Sequence, residues 1–165
     1  MRVEMKASGL AFDPLTNMAI VILKDEMGNR ILPIWIGLLE ANSIALELEK
    51  VHSNRPLTHD LIKSIFDTLN VDVRLISIVE LKDNTFYANI EVFFNKHIYR
   101  IDSRPSDAIA VALKNDVPIM VEEAVINKSK TFSSSIGKYE NFADPEMVKK
   151  WLEDLKPEDF GKYEQ

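Results

Sequence analysis

Two short segments concentrate the side chains able to do chemistry. Ile101-Asp102-Ser103-Arg104-Pro105-Ser106-Asp107-Ala108-Ile109 holds two carboxylates, one guanidinium and two hydroxyls immediately before an apolar run. Arg55-Pro56-Leu57-Thr58-His59-Asp60-Leu61 repeats the theme: arginine and proline, a hydroxyl, an acid, then helix-forming residues. Asp102 is expected to close a strand and Asp107 to open the next helix, so their carboxylates can approach across a tight turn. Close carboxylates suit Mg²⁺ or Mn²⁺, which take oxygen ligands and keep several waters. Such an ion can generate hydroxide and stabilise charge on a phosphoryl group. The same residues also have a plainer use, with Asp107 serving the helix start and Asp102 pairing with Arg104.

Arg55 and Arg104 each precede a proline, which restricts the backbone that carries the guanidinium. They suit a bidentate grip on phosphate or carboxylate, or an internal clamp that ties two helix entrances together. His59 stands beside Asp60 in a first helical turn. It reads as a general base or metal ligand oriented by a carboxylate, or as a residue bonded to backbone. Glu40 is the one acid near the buried side of an earlier helix start. It could join a carboxylate cluster there or only compensate the helix dipole. Asp83 reads as turn chemistry, and Trp35 as a core or interface anchor. No His-x-x-x-His, Walker or Gly-x-Ser-x-Gly pattern occurs, so zincin, P-loop and α/β-hydrolase chemistries drop out.

Positioning these side chains falls to 165 residues, enough for one domain with its own core. Cysteine is absent, which removes disulfides, thiolate metal sites and cysteine nucleophiles. A net charge of −6 argues against tight, non-specific binding of nucleic acid. It leaves room for an enzyme that touches its substrate through a few arginines or a cation. No apolar stretch reaches membrane-spanning length, and the N-terminus does not read as a signal peptide. A cytoplasmic protein is expected.

Along the chain, residues 2–12, 17–24 and 30–36 read as strands, the second being apolar throughout its centre and so buried on both faces. Turn residues at 13–17 join the first two, and Gly37 is expected to allow the sharp turn into a helix at 38–50. That helix points Ala41, Ile44, Ala45 and Leu48 inward, with Glu47, Glu49 and Lys50 toward water. A helix over 58–69, with Thr58 as N-cap, is expected to bury Leu61, Ile62, Ile65, Phe66 and Leu69. A hairpin turning at Asp83-Asn84 and a strand at 97–102 follow. Pro105 suits the first position of a helix whose residues 108–113 are all apolar, marking it as central.

A short strand at 119–121 closes the core. The fold class is therefore α+β: two three-stranded antiparallel meanders with three packed helices, plus a C-terminal helical appendage. The domain is placed at 1–127, a linker at 128–143, and a C-terminal helix and tail at 144–165. At an offset of 65 residues, Ile36, Ile44, Ala45 and Leu48 match Ile101, Ile109, Ala110 and Leu113. Two amphipathic helices can coincide this far by chance.

Four segments taken together resemble the bifunctional nuclease (BFN) domain family. They are Leu32-Pro33-Ile34-Trp35-Ile36-Gly37, the Arg55–Leu61 stretch, Leu81-Lys82-Asp83-Asn84-Thr85-Phe86-Tyr87-Ala88, and the Ile101–Ile109 stretch. The resemblance covers about residues 1–127 and implies a compact, self-associating α+β domain, a dimer being favoured. It also implies a nuclease acting on DNA and RNA. Arg55, His59, Asp60, Asp102, Arg104 and Asp107 occupy the signature segments. The expectation is a divalent-metal-assisted phosphodiesterase: Asp102, Asp107 and Glu40 hold Mg²⁺ or Mn²⁺, Arg55 and Arg104 bind phosphate, and His59 and Asp60 complete the catalytic set. The alternative is a non-catalytic, oligomeric ligand-binding or regulatory module.

Overall fold

The computed structural model describes residues 1–13 and 18–130. Seven strands and four helices alternate as β1 (Arg2–Asp13), β2 (Met18–Asp25), β3 (Ile31–Ile36), α1 (Leu38–Leu48), α2 (Thr58–Thr68), β4 (Asp72–Lys82), β5 (Thr85–Phe94), β6 (His97–Ser103), α3 (Pro105–Asn115), β7 (Ile119–Glu122) and α4 (Glu123–Lys130). Both expected meanders form, and β7 joins them into one sheet of order β3-β2-β1-β7-β4-β5-β6. It runs antiparallel to β1 and parallel to β4. A parallel neighbour needs a crossover, and α3 supplies it.

Turn chemistry explains the tight reversals. Asp83 and Asn84 both take positive φ, 49° and 59°, as a two-residue hairpin with right-handed strand twist requires. Asn95 and Lys96 do the same between β5 and β6. The run from Ala19 to Leu23 is buried throughout, as its unbroken apolar character predicts. One side, with Ala19, Val21 and Leu23, joins the main core; the other, with Ile20 and Ile22, packs with Ala11 and Trp35.

α3 is the central helix, with Ala108, Ile109, Ala110, Val111 and Ala112 all buried. It lies between α1 and α2 and over β4 and β5. Each meander thus feeds a helix, and the two helices so formed, α1 and α3, pack side by side.

Three expectations need correcting. Thr58 opens α2 but does not cap it; Leu57 is the N-cap, and its N–H is taken by the Asp60 carboxylate at 2.8 Å. Leu61, Ile65 and Leu69 are not buried but are 55%, 45% and 56% exposed. The inner face of α2 is set by His59, Ile62 and Phe66, a stripe turned away from that row because α2 docks chiefly on α3. Gly37 has an ordinary φ of −70°, so no left-handed turn is involved. Its small size matters instead, because a Cβ there would collide with the Glu40 carboxylate.

The helix α4 had no counterpart in the expected elements. It buries Val125, Ile126 and Ser129 and continues through Lys130, past the position where a linker was expected. The expected turn at 14–17 and the helix at 144–155 lie outside the described residues.

Candidate functional site

α1 and α3 pack side by side with their first turns together, as the Glu40–Arg104 and Glu47–Lys114 pairs show, and the first turn of α2 enters beside them. Pro105 at the first position of α3 holds Arg104 in extended conformation, φ −68° and ψ 147°. A residue before proline is steered there by clash with the ring. The Arg104 side chain then reaches two carboxylates. Its Nε donates to Asp107 Oδ2 at 2.6 Å and its Nη2 to Asp107 Oδ1 at 3.1 Å, while Nη1 lies 2.9 Å from Glu40 Oε1. Glu40 can fold back to meet it because residue 37 has no side chain.

His59 lies behind this arrangement, only 5% exposed. Its Nε2 is 3.0 Å from Asp107 Oδ1, so Nε2–H donates to the carboxylate. Nδ1 is buried with no hydrogen-bond partner among the described residues. Asp107 is therefore gripped from both sides, by a buried imidazole and by an exposed guanidinium. Burial alone would raise its carboxyl pKa, but Arg104 and His59 outweigh burial and hold it below the ordinary carboxylate value. The Asp107 bond in turn raises the pKa of Arg104 further.

A second cluster lies two helical turns further along. Glu47 and Lys114 stand seven residues beyond Glu40 and Asp107 on their helices, and seven residues is about two turns. Lys114 Nζ donates to Glu47 Oε1 at 2.5 Å and to Asp60 Oδ1 at 2.6 Å, with its side chain only 6% exposed. The Lys114 bond is the main reason the Asp60 carboxyl lies below its ordinary pKa, against the opposing effect of burial. Burial would lower the pKa of Lys114, but Asp60 and Glu47 together raise it. A cleft of about 190 Å³ opens beside this trio, with Val51, His52, Ser53 and Pro56 on its rim.

The structure gathers Glu40, His59, Asp60, Arg104 and Asp107 at the helix entrances. Arg55 is exposed on the loop before α2 and makes no ion pair with a described residue. Asp102 points elsewhere. On β6 it sits opposite Asn89, while its neighbours Ile101 and Ser103 sit opposite the buried Ile90 and Ala88. Side chains alternate across a strand, so Asp102 occupies the face turned away from the helices. The expected approach of Asp102 to Asp107 therefore does not form, and Arg104 pairs with Glu40 instead of Asp102. No group of three or more His, Cys, Asp or Glu side chains is arranged for a metal among the described residues.

Sequence reading missed Lys114 and turned Glu47 toward water. The available signal was the seven-residue spacing in Glu40/Glu47 and Asp107/Lys114, which places each pair on one helix face.

The pattern of the bifunctional nuclease domain matches residues 21–134. Over 162 residues the chain is 36% identical to Uncharacterized protein Rv1829 of Mycobacterium tuberculosis, covering 95% of this chain and 97% of that one. Bifunctional nuclease 2 of Oryza sativa subsp. japonica is 32% identical over 114 residues, 65% of this chain and 34% of that protein. Bifunctional nuclease 1 of Arabidopsis thaliana is 29% identical over 112 residues, 64% and 33% respectively. The chain thus spans about a third of the plant relatives' length. No helix among the described residues is long and apolar enough to cross a membrane.

Proposed function

Because the chain belongs to the bifunctional nuclease domain family, we propose that it hydrolyses phosphodiester bonds in DNA and RNA at the shared entrance of α1, α2 and α3. The observation that carries this reading is the state of Arg104. Its side chain is 67% exposed, yet its position is fixed by Glu40 and Asp107. A guanidinium has five N–H donors in a planar fork, so donors remain to bind a phosphate oxygen. The positive ends of two parallel helices lie beside it and favour an anion there.

In this reading Arg104 binds the phosphate, and Asp107 orients the attacking water or aids in binding a cation. His59 is a positioning residue: its ring fixes which way the Asp107 carboxylate faces. Asp60 is occupied by Lys114 and by the Leu57 N–H, so it holds the entrance of α2 in place. Arg55, on the adjoining loop, adds charge that meets nucleic acid without holding it tightly.

Glu40 and Asp107 are oxygen donors that converge on one cation, the Arg104 guanidinium. Their chemistry fits Mg²⁺ or Mn²⁺, for which one or two carboxylates with water and phosphate suffice. Bound there, the ion would polarise a phosphoryl oxygen and activate water. It has to compete with Arg104 for both carboxylates. The test is cleavage of single-stranded DNA and RNA by the wild type, Asp107→Asn and Arg104→Ala, each with Mn²⁺ and with chelator. Loss in both variants and with chelator is expected. Equal cleavage in every sample would identify a contaminant and end this reading.

A second reading, the non-catalytic module, is favoured by the internal neutralisation of both clusters. Arg104 answers Glu40 and Asp107, and Lys114 answers Glu47 and Asp60. Thermal shift with Mn²⁺, nucleotides and small carboxylates separates the two readings. Stabilisation by a ligand without any cleavage would favour the module.

A further inference from the structure

The cleft beside Lys114 has a charged part, made of Glu47, Asp60 and the lysine itself, and an apolar part that includes Val51, Pro56 and Leu57. At about 190 Å³ it exceeds the roughly 150 Å³ in which a benzene ring can sit. Its charges narrow what can enter. Two carboxylates against one ammonium leave a negative charge over, which turns away a phosphate or a carboxylate. A metal ion finds the place between the carboxylates taken, because Lys114 Nζ lies 2.5 Å from Glu47 Oε1 and 2.6 Å from Asp60 Oδ1. What remains open is a set of hydrogen-bonding positions. Lys114 has three N–H donors and uses two. Both Asp60 oxygens are engaged, by Lys114 and by the Leu57 N–H, but Glu47 Oε2 receives no hydrogen bond from a described residue.

We propose that the cleft seats an unpaired guanine base of the nucleic-acid substrate, an inference that rests on the nuclease reading above. Along its Watson–Crick edge guanine presents an acceptor, O6, followed by two adjacent donors, N1–H and N2–H. The cleft presents the complement: the spare Lys114 N–H for O6, and the Glu47 carboxylate for N1–H and N2–H. A carboxylate only accepts hydrogen bonds. Adenine, cytosine, uracil and thymine each bring an acceptor against it in either orientation, which leaves buried polar atoms unpaired. The apolar lining suits the faces of a flat ring. Because the edge that is read is the pairing edge, the base enters from a single strand.

The seat stands at a useful distance from the arginines. Glu47 and Lys114 follow Glu40 and Asp107 by seven residues, about 10 Å along the two helices. A nucleotide spans a comparable distance from its phosphate to the far edge of its base. The first turn of α2 holds the two places in fixed relation, with His59 on Asp107 and Asp60 on Lys114. Arg55 is exposed and directly precedes Pro56 of the cleft lining, so a second guanidinium stands near the mouth.

The test titrates the full chain with the 5′-monophosphates of guanosine, inosine, adenosine, cytidine and uridine, following backbone amide resonances. The guanosine nucleotide is expected to bind roughly tenfold or more tightly than the others. Inosine is the sharpest comparison, since it lacks only the N2 amino group. The largest shifts should fall on Val51, Ser53 and Leu57. Guanosine itself should keep its preference over inosine, which makes the base and not the phosphate its source. Glu47→Gln puts a donor in place of one acceptor and should abolish the preference; its amide spectrum reports whether it is folded. Equal affinities, no binding at millimolar concentrations, or shifts centred on Arg104 alone overturn the seat, even if DNA and RNA are cleaved. A preference that survives in Glu47→Gln also overturns it. Guanine-selective binding at the cleft by a chain that cleaves neither polymer would support the seat and end the nuclease reading.

Discussion

His59 Nε2 stands 3.0 Å from Asp107 Oδ1, and this contact fastens the start of α2 to the start of α3 where Arg104 meets solvent. A buried ring, a partly buried carboxylate and an exposed guanidinium thus run in series from core to surface.

The ring has two roles that substitution can separate. His59→Phe keeps a ring in place with slightly more bulk, removes the hydrogen bond to Asp107 and abolishes the unpartnered Nδ1. It should lower stability by about 1–3 kcal/mol. His59→Ala leaves a void in the same place and should cost about 2–4 kcal/mol. Urea unfolding measures both. If the ring orients Asp107 for catalysis, the Phe variant loses cleavage while remaining folded.

Lys114 is a nearly buried cation between two carboxylates. Lys114→Met removes the charge but keeps most of the stem, leaving Glu47 and Asp60 facing each other. Removing one member of a buried ionic group costs roughly 3–5 kcal/mol. Both carboxylates here retain some solvent, 20% and 34% exposed, so about 2–3 kcal/mol is expected. The denaturant midpoint should fall with an unchanged m-value.

Acid should weaken the fold through Asp60 and Asp107. Their carboxyl pKa values are lower in the folded state than in the unfolded chain. The stability they supply is complete above the ordinary carboxylate value and is lost as pH falls through the lower, folded one. Lys114 works in the opposite sense, because its pKa is raised. Its contribution is complete below the ordinary lysine value and fades as pH rises past the folded one. Unfolding free energy measured across pH should therefore fall at both ends. In Lys114→Met the alkaline fall should disappear and the acid fall should become shallower, because Asp60 loses the bond that dominates its shift.

Gly37→Ala tests the packing of Glu40. The backbone there, φ −70° and ψ 159°, suits alanine, which should gain about 0.4–1 kcal/mol through the unfolded chain. The new methyl displaces the Glu40 carboxylate and loosens its pair with Arg104, an exposed interaction worth about 0–1 kcal/mol. Stability should hardly change. The Arg104 Nη1–H resonance should nonetheless move, reporting the lost Glu40 partner.

Some of this molecule is written locally. The alternation and apolar runs of β1 to β6, the Asp83-Asn84 and Asn95-Lys96 reversals and the Pro105 helix start arise from near neighbours, so periodicity and turn chemistry predict them. The two signature segments also mark the right neighbourhood, because arginine–proline and acid at a helix start have local meaning. The exposure of Leu61, Ile65 and Leu69 does not. Two apolar stripes run along α2, and only the place where α2 meets α3 selects the inner one.

The sequence by itself determined the elements up to β7, the central place of α3 and the chemistry of the residues at the helix entrances. Tertiary structure alone decided their partners. Asp102 and Asp107 are five residues apart, yet a strand's two-residue alternation sends one to the far face of the sheet and the next helix carries the other to Arg104. Glu47 and Lys114 are 67 residues apart and touch, because two parallel helices bring the same turn of each to the same height. Short-range rules fix which way a side chain leaves its own backbone; what it meets depends on how the elements pack.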